Sequence, residues 1–222
     1  MAAEMISLER DDVQSNKFEK YTPKADRTDR VGILFPEDAY TNGKKIFCGT
    51  KAHFDKKANR LFVCKSTATN PEICCTTPYS GNVPSYRLGA VVVVYNLETE
   101  GGKTKLKGWK VLPWIMSEAT WGKLKKQDLK FPLNKFDVEV EGIQKKFLNL
   151  EITPCTNSIV RSNPEFLKKA MALYPAAMES AKGNLASDLN IEEIRELLGI
   201  EAPGSQDAAS DVSIGDVLDG VA

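Results

Sequence analysis

Short runs of β-branched and aromatic residues, separated by turn signals, occupy the chain from about Tyr21 to Cys155. The longest run, residues 90–95 (AVVVVY), has the length of a buried strand and falls far short of the roughly 20 apolar residues of a membrane span. Gly-Gly and Asn-Gly pairs between such runs are typical of strands joined by tight turns. The sequence therefore predicts strands at residues 31–35, 45–47, 61–64, 86–95, 109–116, 136–140 and 147–152.

Helical patterns appear at three places. Ser117 is a suitable N-cap for residues 117–126, Asn163 precedes a proline that opens a second helix, and residues 191–198 lie between Asn190 and Gly199. The predicted fold is mainly β, a barrel-like core with appended helices. Its expected parts are an N-terminal arm (1–20), a zinc-containing core (21–160), C-terminal helices (161–200) and a disordered acidic tail (201–222).

The only histidine of the chain lies among four of its five cysteines. Structural zinc prefers four nitrogen and sulfur ligands in a tetrahedron, so this clustering predicts one structural zinc ion. The favoured ligands are His53, Cys64, Cys74 and Cys75. Neighbouring side chains of an extended chain point opposite ways, so Cys48 remains an alternative to Cys74 or Cys75. The competing interpretation is a set of buried thiols with an incidental histidine.

Charge is distributed unevenly although the formal net charge is zero. Between residues 184 and 222 nine acids stand against one base, Arg195, so residues 1–183 carry a net charge of +8. A basic body with an acidic tail is typical of proteins that bind polyanions. The N-terminus carries acids and has no apolar segment of a signal peptide, which predicts a cytoplasmic protein without a membrane segment.

Aromatic residues are interleaved with bases in two stretches. All three tryptophans lie between residues 109 and 121, and nine lysines lie between residues 103 and 135. Lysine and arginine neutralise phosphates, and aromatic faces stack on unpaired bases, so this pattern predicts a groove for a single strand. Trp114 follows Pro113 in an apolar run and is assigned to the core. The predicted nucleic-acid-binding residues are Lys51, Lys56, Lys57, Arg60, Tyr79, Tyr86, Arg87, Lys105, Lys107, Trp109, Lys110, Trp121 and Lys123.

The acidic tail invites two hypotheses. It can lie in the cationic groove and compete with nucleic acid, and its tip alternates acids with apolar residues in a way that suits docking on partner proteins. The tip residues expected to contact a partner are Asp216, Leu218 and Asp219.

The segment HFDKKANRLFVCKSTATNPEICC and the blocks YRLGAVVVVYNLETEG and WKVLPWIMSEATWGKLKK resemble the helix-destabilising single-stranded-DNA-binding proteins of T-even-like and related large bacteriophages. The resemblance implies an OB-fold core, one zinc ion, sequence-independent binding of single-stranded DNA, and recruitment of replication, recombination or repair proteins by the tail. The chain departs from that family in its adjacent Cys74 and Cys75, where the family has Cys-x-x-Cys. The chain also has no clear counterpart of that family's basic N-terminal segment.

Two other functions are open at this point. A zinc-containing accessory factor that binds a polymerase in viral transcription or replication would also explain the cysteines and the tail. An enzyme is disfavoured, since the chain has no Walker-type loop, no G-x-S-x-G and no H-E-x-x-H motif. The expected protein is therefore a non-enzymatic binding protein.

Overall fold

Seven antiparallel strands form one sheet in a computed structural model of the chain, which describes residues 19–56, 59–65, 83–143 and 149–199. The strands are β1 (Thr28–Leu34), β2 (Cys48–Asp55), β3 (Arg60–Val63), β4 (Ser85–Glu100), β5 (Lys103–Ser117), β6 (Val138–Gly142) and β7 (Leu150–Pro154). Their order is β3-β2-β4-β1-β6-β7, and β5 pairs with β4. Within the described residues the sheet does not close into a ring.

Strand β4 is the centre of the sheet. One edge pairs first with β2 and then with β1, and β5 follows the other edge along almost the whole strand. Ala90 and Val92 face one hydrophobic cluster, and Val91 and Val93 face another. All four are fully buried, which explains why this strand is a continuous apolar run rather than an alternating one.

In the described part of the chain, four helices accompany the sheet: α1 (Glu37–Thr41), α2 (Glu118–Lys130), α3 (Pro164–Gly183) and α4 (Ile191–Leu198). Helix α3 packs on the Val91 and Val93 face through Ala170 and Ala177. The opposite face holds the larger cluster, to which α2 contributes Leu124. Ile194 of α4 packs on Phe62 of β3. None of the helices in the described part of the chain has the length and apolar character needed to cross a membrane.

The predicted helix boundaries are confirmed where a cap marks them. The Ser117 hydroxyl accepts the Thr120 N–H, the Asn163 side chain accepts the Phe166 N–H, and Gly199 ends α4 in the left-handed conformation. Asn190 and Glu193 form a reciprocal capping box at the start of α4. These local hydrogen bonds fix the helix ends independently of tertiary packing.

The region between β1 and β2 differs from the prediction. A strand at residues 45–47 is wrong, since β2 begins at Cys48 and a short helix, α1, precedes it. Gly43 and Lys44 both have positive φ, so the chain reverses there and Ile46 enters the core outside any strand. Asp128 holds this reversal to α2, because it accepts hydrogen bonds from the Tyr40 hydroxyl and the Lys44 ammonium group.

A close approach of two polar side chains explains the glycine in β1. The Tyr95 hydroxyl donates to the buried Asp137 carboxylate at 3.3 Å, and the Ile159 N–H donates to the same carboxylate at 2.8 Å. A Cβ atom on Gly32 would lie 2.6 Å from that hydroxyl and 2.9 Å from Oδ1 of Asp137. Position 32 therefore has no room for a side chain.

Replacing Gly32 with alanine is expected to lower the free energy of unfolding by about 1–3 kcal/mol, because the methyl group forces the Tyr95–Asp137 pair apart. Urea denaturation followed by circular dichroism measures the change. Gly122→Ala is the matched control, since the added methyl on α2 meets open space and a helical alanine is favoured over glycine by about 0.5–1 kcal/mol. Equal stability of Gly32→Ala and the unchanged protein would contradict this packing.

Candidate nucleic-acid interface

A groove of about 700 Å³ lies between the segment at residues 19–29 and the strand pair β4–β5. Strand β4 contributes Val94 and Asn96, and β5 contributes their register partners Lys110 and Gly108. Residues that pair across two antiparallel strands point to the same side of the sheet. The floor of the groove is therefore a two-stranded surface, bordered by the chain that leads into β1.

Residues 19–26 are fixed as one wall of the groove by contacts at both ends. The Tyr21 N–H donates to the Pro113 carbonyl of β5 at 2.9 Å, and the Asp26 N–H donates to the Gly142 carbonyl of β6 at 2.9 Å. The Tyr21 ring meets the Trp114 ring edge to face at 5.4 Å. Burial and the neighbouring Asp29 carboxylate raise the pKa of Tyr21, so its hydroxyl stays protonated and donates to Asp29.

The groove carries an excess of positive charge. Four cations line it, and two carboxylates oppose them. Lys110 pairs with Glu19 at 2.7 Å, and Arg27 pairs with Asp29 at 2.6 Å. The Lys110 hydrogen bond holds the pKa of Glu19 below its usual value. The remaining lining cations, Lys20 and Lys24, form no ion pair with a carboxylate of the described residues.

Trp109 is the predicted aromatic residue that borders this groove. It pairs in register with Tyr95 on the face that α3 covers, and its ring packs against Phe166 with a centroid separation of 4.8 Å. The indole is half-buried. Its packing fixes the ring on the α3 face. Because side chains alternate along a strand, this face lies opposite to that of Lys110 and Gly108, so Trp109 borders the groove from the strand itself and not from its floor.

The other tryptophans do not join Trp109. Trp114 is 1% exposed, which confirms its assignment to the core. Trp121 packs on the main cluster from α2, with the Lys125 ammonium group 5.2 Å from its ring centroid. Lys123 donates to Asn149 and to the Leu150 carbonyl, which joins α2 to β7. The three indoles therefore do not form one trough.

Two predicted lysines lie on the β4–β5 hairpin beyond the groove. Lys107 pairs with Glu98 at 2.7 Å, and Lys105 approaches Glu100 at 3.8 Å. All four side chains are well exposed. Surface pairs of this kind stabilise a fold by less than about 1 kcal/mol and exchange readily with other counterions. The hairpin lysines thus extend the basic surface of the groove.

A second aromatic and basic patch lies at the other end of β4. Lys51 stands over the Tyr86 ring at 5.5 Å, and Tyr86 is 47% exposed. Lys56 and Arg60 are exposed nearby on the β2–β3 hairpin, and Arg87 is half-buried. Tyr86 and Val94 are separated by about 27 Å at the rise of an extended strand. The patch is therefore distinct from the groove, and the predicted Lys57 and Tyr79 lie outside the described residues.

Two of the predicted zinc ligands lie on neighbouring strands. His53 of β2 is 2% exposed and stacks on Phe62, its register partner in β3. The Cys64 N–H donates to the Lys51 carbonyl at 2.9 Å, which places Cys64 one pair further along the same ladder. Since Lys51 and His53 share a face of β2, Cys64 and His53 are diagonal neighbours on one face, about 7–8 Å apart between backbones.

This spacing fits two ligands of one zinc ion. The remaining ligands of a four-coordinate zinc ion must come from other residues of the chain. The described residues contain no cluster of three or more metal-binding side chains. Cys74 and Cys75, the other favoured ligands, lie outside the described part of the chain. Cys48 occupies the opposite face of β2, where its Sγ approaches the Gly89 carbonyl at 3.5 Å. The alternative ligand therefore does not lie beside His53.

Lys20, Lys24 and Arg27 are groove residues that the sequence analysis missed. The signal was present in KYTPKADR, where a tyrosine stands among bases as it does around the tryptophans. Lys20 ends the predicted arm (1–20), whereas Lys24 and Arg27 fall in the predicted core, outside its two aromatic and basic stretches. The tail residues Asp216, Leu218 and Asp219 lie outside the described residues.

No family model matches this chain, and neither the curated proteins nor the solved structures give a match. The resemblance to bacteriophage helix-destabilising proteins accordingly depends on the sequence motifs alone.

Replacing Cys64 with serine is expected to remove bound zinc, whereas Cys48→Ser is expected to retain it, because only Cys64 shares a face with His53. Elemental analysis of the purified full-length variants measures the zinc content. Zinc removal by a chelator should also lower the melting temperature of the unchanged protein, since metal binding contributes directly to folding. Zinc loss in Cys48→Ser with retention in Cys64→Ser would contradict this ligand assignment.

Proposed function

We propose that this chain is a non-enzymatic protein that binds single-stranded DNA without sequence preference in the groove between residues 19–29 and β4–β5. The observation that carries the proposal is that Lys20, Lys24 and Trp109 line one groove that has an excess of positive charge. Cations that form no ion pair with a carboxylate of the described residues attract phosphates, and an aromatic residue at the border of the groove can contact an unpaired base.

The architecture of the sheet supports this role. OB-folds are partly open antiparallel barrels, and those that bind single strands carry a positively charged groove that follows the backbone of the strand. An OB-fold-like core belongs to the proposal, although the described strands leave the ring open. The patch of Lys51 and Tyr86 at the far end of β4 offers a second contact for the same strand, since site sizes of roughly 4–16 nucleotides are usual for such proteins.

Zinc and the tail have separate roles in the proposal. His53 and Cys64, together with Cys74 and Cys75, would hold one zinc ion that stabilises the β2–β3 hairpin and the loop after it. The acidic tail, with Asp216, Leu218 and Asp219, would recruit proteins of replication, recombination or repair. Its alternation of acids and apolar residues suits a partner with a basic, partly apolar surface.

Titration of the full-length protein with oligo(dT) is expected to quench tryptophan fluorescence, and the affinity is expected to fall steeply as salt rises. Trp109→Phe should remove most of the quenching, because Trp109 borders the groove, whereas Trp114 is sealed in the core and Trp121 packs from α2 on the main cluster. Fluorescence anisotropy of a labelled oligonucleotide then shows whether that variant still binds. A flat response at low salt would contradict strand binding and favour an accessory factor that binds a polymerase.

Replacing Lys20 and Lys24 together with alanine is expected to weaken binding and to reduce the salt slope by about one unit or more, since each phosphate contact contributes about 0.7 for a single strand. Lys168→Ala with Lys169→Ala is the matched control, because these lysines are equally exposed on α3, away from the groove. Equal losses in both double variants would place the strand elsewhere and overturn the assignment of the groove.

A further inference from the structure

The last two turns of α2 present an exposed surface that the proposed strand-binding role does not use. Its exposed side chains there are Lys125, Lys126, Leu129 and Lys130, with no acid among them. Leu129 lies among these three lysines, and its side chain is 77% exposed. We call these four residues the α2 stripe.

A hollow adjoins the α2 stripe. It has a volume of about 380 Å³ and lies between α2 and the ends of β6 and β7. Lys126 lines it from the helix, and Ile143, which is 46% exposed, lines it from the sheet. The lining of the hollow is mixed: Ile143 and Ile152 are its apolar members, and Gln127 and Glu151 also line it. Lysines beside an exposed leucine and two isoleucines form a surface for a ligand that alternates negative and apolar groups.

The lysines of the α2 stripe lack anionic partners within the described fold. Lys125 stands over the Trp121 ring, and neither Lys126 nor Lys130 pairs with any carboxylate of the described residues. In the groove, by contrast, two of the four cations already have anionic partners: Lys110 pairs with Glu19, and Arg27 pairs with Asp29. A flexible anion can therefore pair with Lys126 and Lys130 without displacing an internal carboxylate, whereas in the groove only Lys20 and Lys24 offer that.

The chain itself carries a segment of the required chemistry. Residues 201–222 contain five acids and no base, and their last part, SIGDVLDGV, alternates aspartates with isoleucine, valine and leucine. This segment follows directly on Gly199, which ends α4 on the body of the protein. A flexible chain of this length has an average end-to-end distance of roughly 25 Å, which exceeds the radius of gyration of a domain of this size, about 17 Å.

We propose that the C-terminal tail, residues 201–222, docks on the α2 stripe of the same chain, with its aspartates against Lys126 and Lys130 and with Val217 or Leu218 in the hollow beside Ile143. The tail then lies on α2 and leaves the groove between residues 19–29 and β4–β5 open. Docking requires neither nucleic acid nor zinc, so it stands or falls independently of the proposed strand binding.

Photocrosslinking of the full-length protein tests this docking. With p-benzoylphenylalanine in place of Val217 and no nucleic acid present, crosslinks within the monomer are expected at residues 125–131 or at Ile143, mapped by mass spectrometry. The yield should fall as salt rises, because exposed ion pairs are screened. Crosslinks confined to the groove, or crosslinks found only between two chains, would overturn the proposal.

Charge reversal supplies the matched comparison. Lys126→Glu with Lys130→Glu is expected to reduce the crosslink yield about fivefold or more, as two exposed attractions become repulsions. Lys168→Glu with Lys169→Glu should leave it unchanged, since α3 offers exposed lysines without the adjoining hollow. Adding Asp216→Lys and Asp219→Lys to the first pair should restore the crosslink. Failure of that restoration in a variant with an unchanged melting temperature would refute the charge pairing.

Discussion

Strand β4 is buried on both faces and bonded along both edges, and the positions of the other elements follow from that constraint. Its odd-numbered valines require the small residues of α3 above them, and its even-numbered residues require the larger cluster below. Each fully buried valine contributes about 1.5–3 kcal/mol of hydrophobic stabilisation, so the three in a row, Val91, Val92 and Val93, anchor the sheet strongly. The groove exists because β4 and β5 continue together past the end of the β1 ladder.

The candidate site is built where that burial ends. After Tyr95 most residues of β4 and their partners in β5 are exposed and several are charged, while residues 19–26 cross from β5 to β6 and supply a second wall. Trp109 belongs to both regions, since its ring packs on Phe166 on the α3 face and the residue borders the groove at β5. The stability of the sheet and the geometry of the site therefore depend on the same strand pair.

Local signals in the sequence were sufficient for much of this fold. The apolar run at residues 90–95, the glycine pair at the hairpin tip and the caps at Ser117, Asn163 and Asn190 each act through nearby residues, so their elements were predicted closely. Strand β2 was missed because CGTKAHFD mixes polar and small residues, and its pairing with β3 and β4 decides its conformation. The site was harder to predict. The pairing register of β4 with β2 and β5 decides which aromatic and basic residues meet at each end of β4, and this register is not visible in the sequence. Sequence proximity therefore grouped Trp109 and Trp121, which the fold places on different elements.

The central claim is that one groove, walled by residues 19–29 and floored by β4 and β5, receives the strand. Hydrogen–deuterium exchange of the full-length protein with and without a saturating oligo(dT) tests it most directly. The account predicts slower exchange at residues 19–29, 94–97 and 106–110, with little change along α3. Protection confined to α2, or to β2 and the first residues of β4, with unchanged exchange at the groove would contradict it.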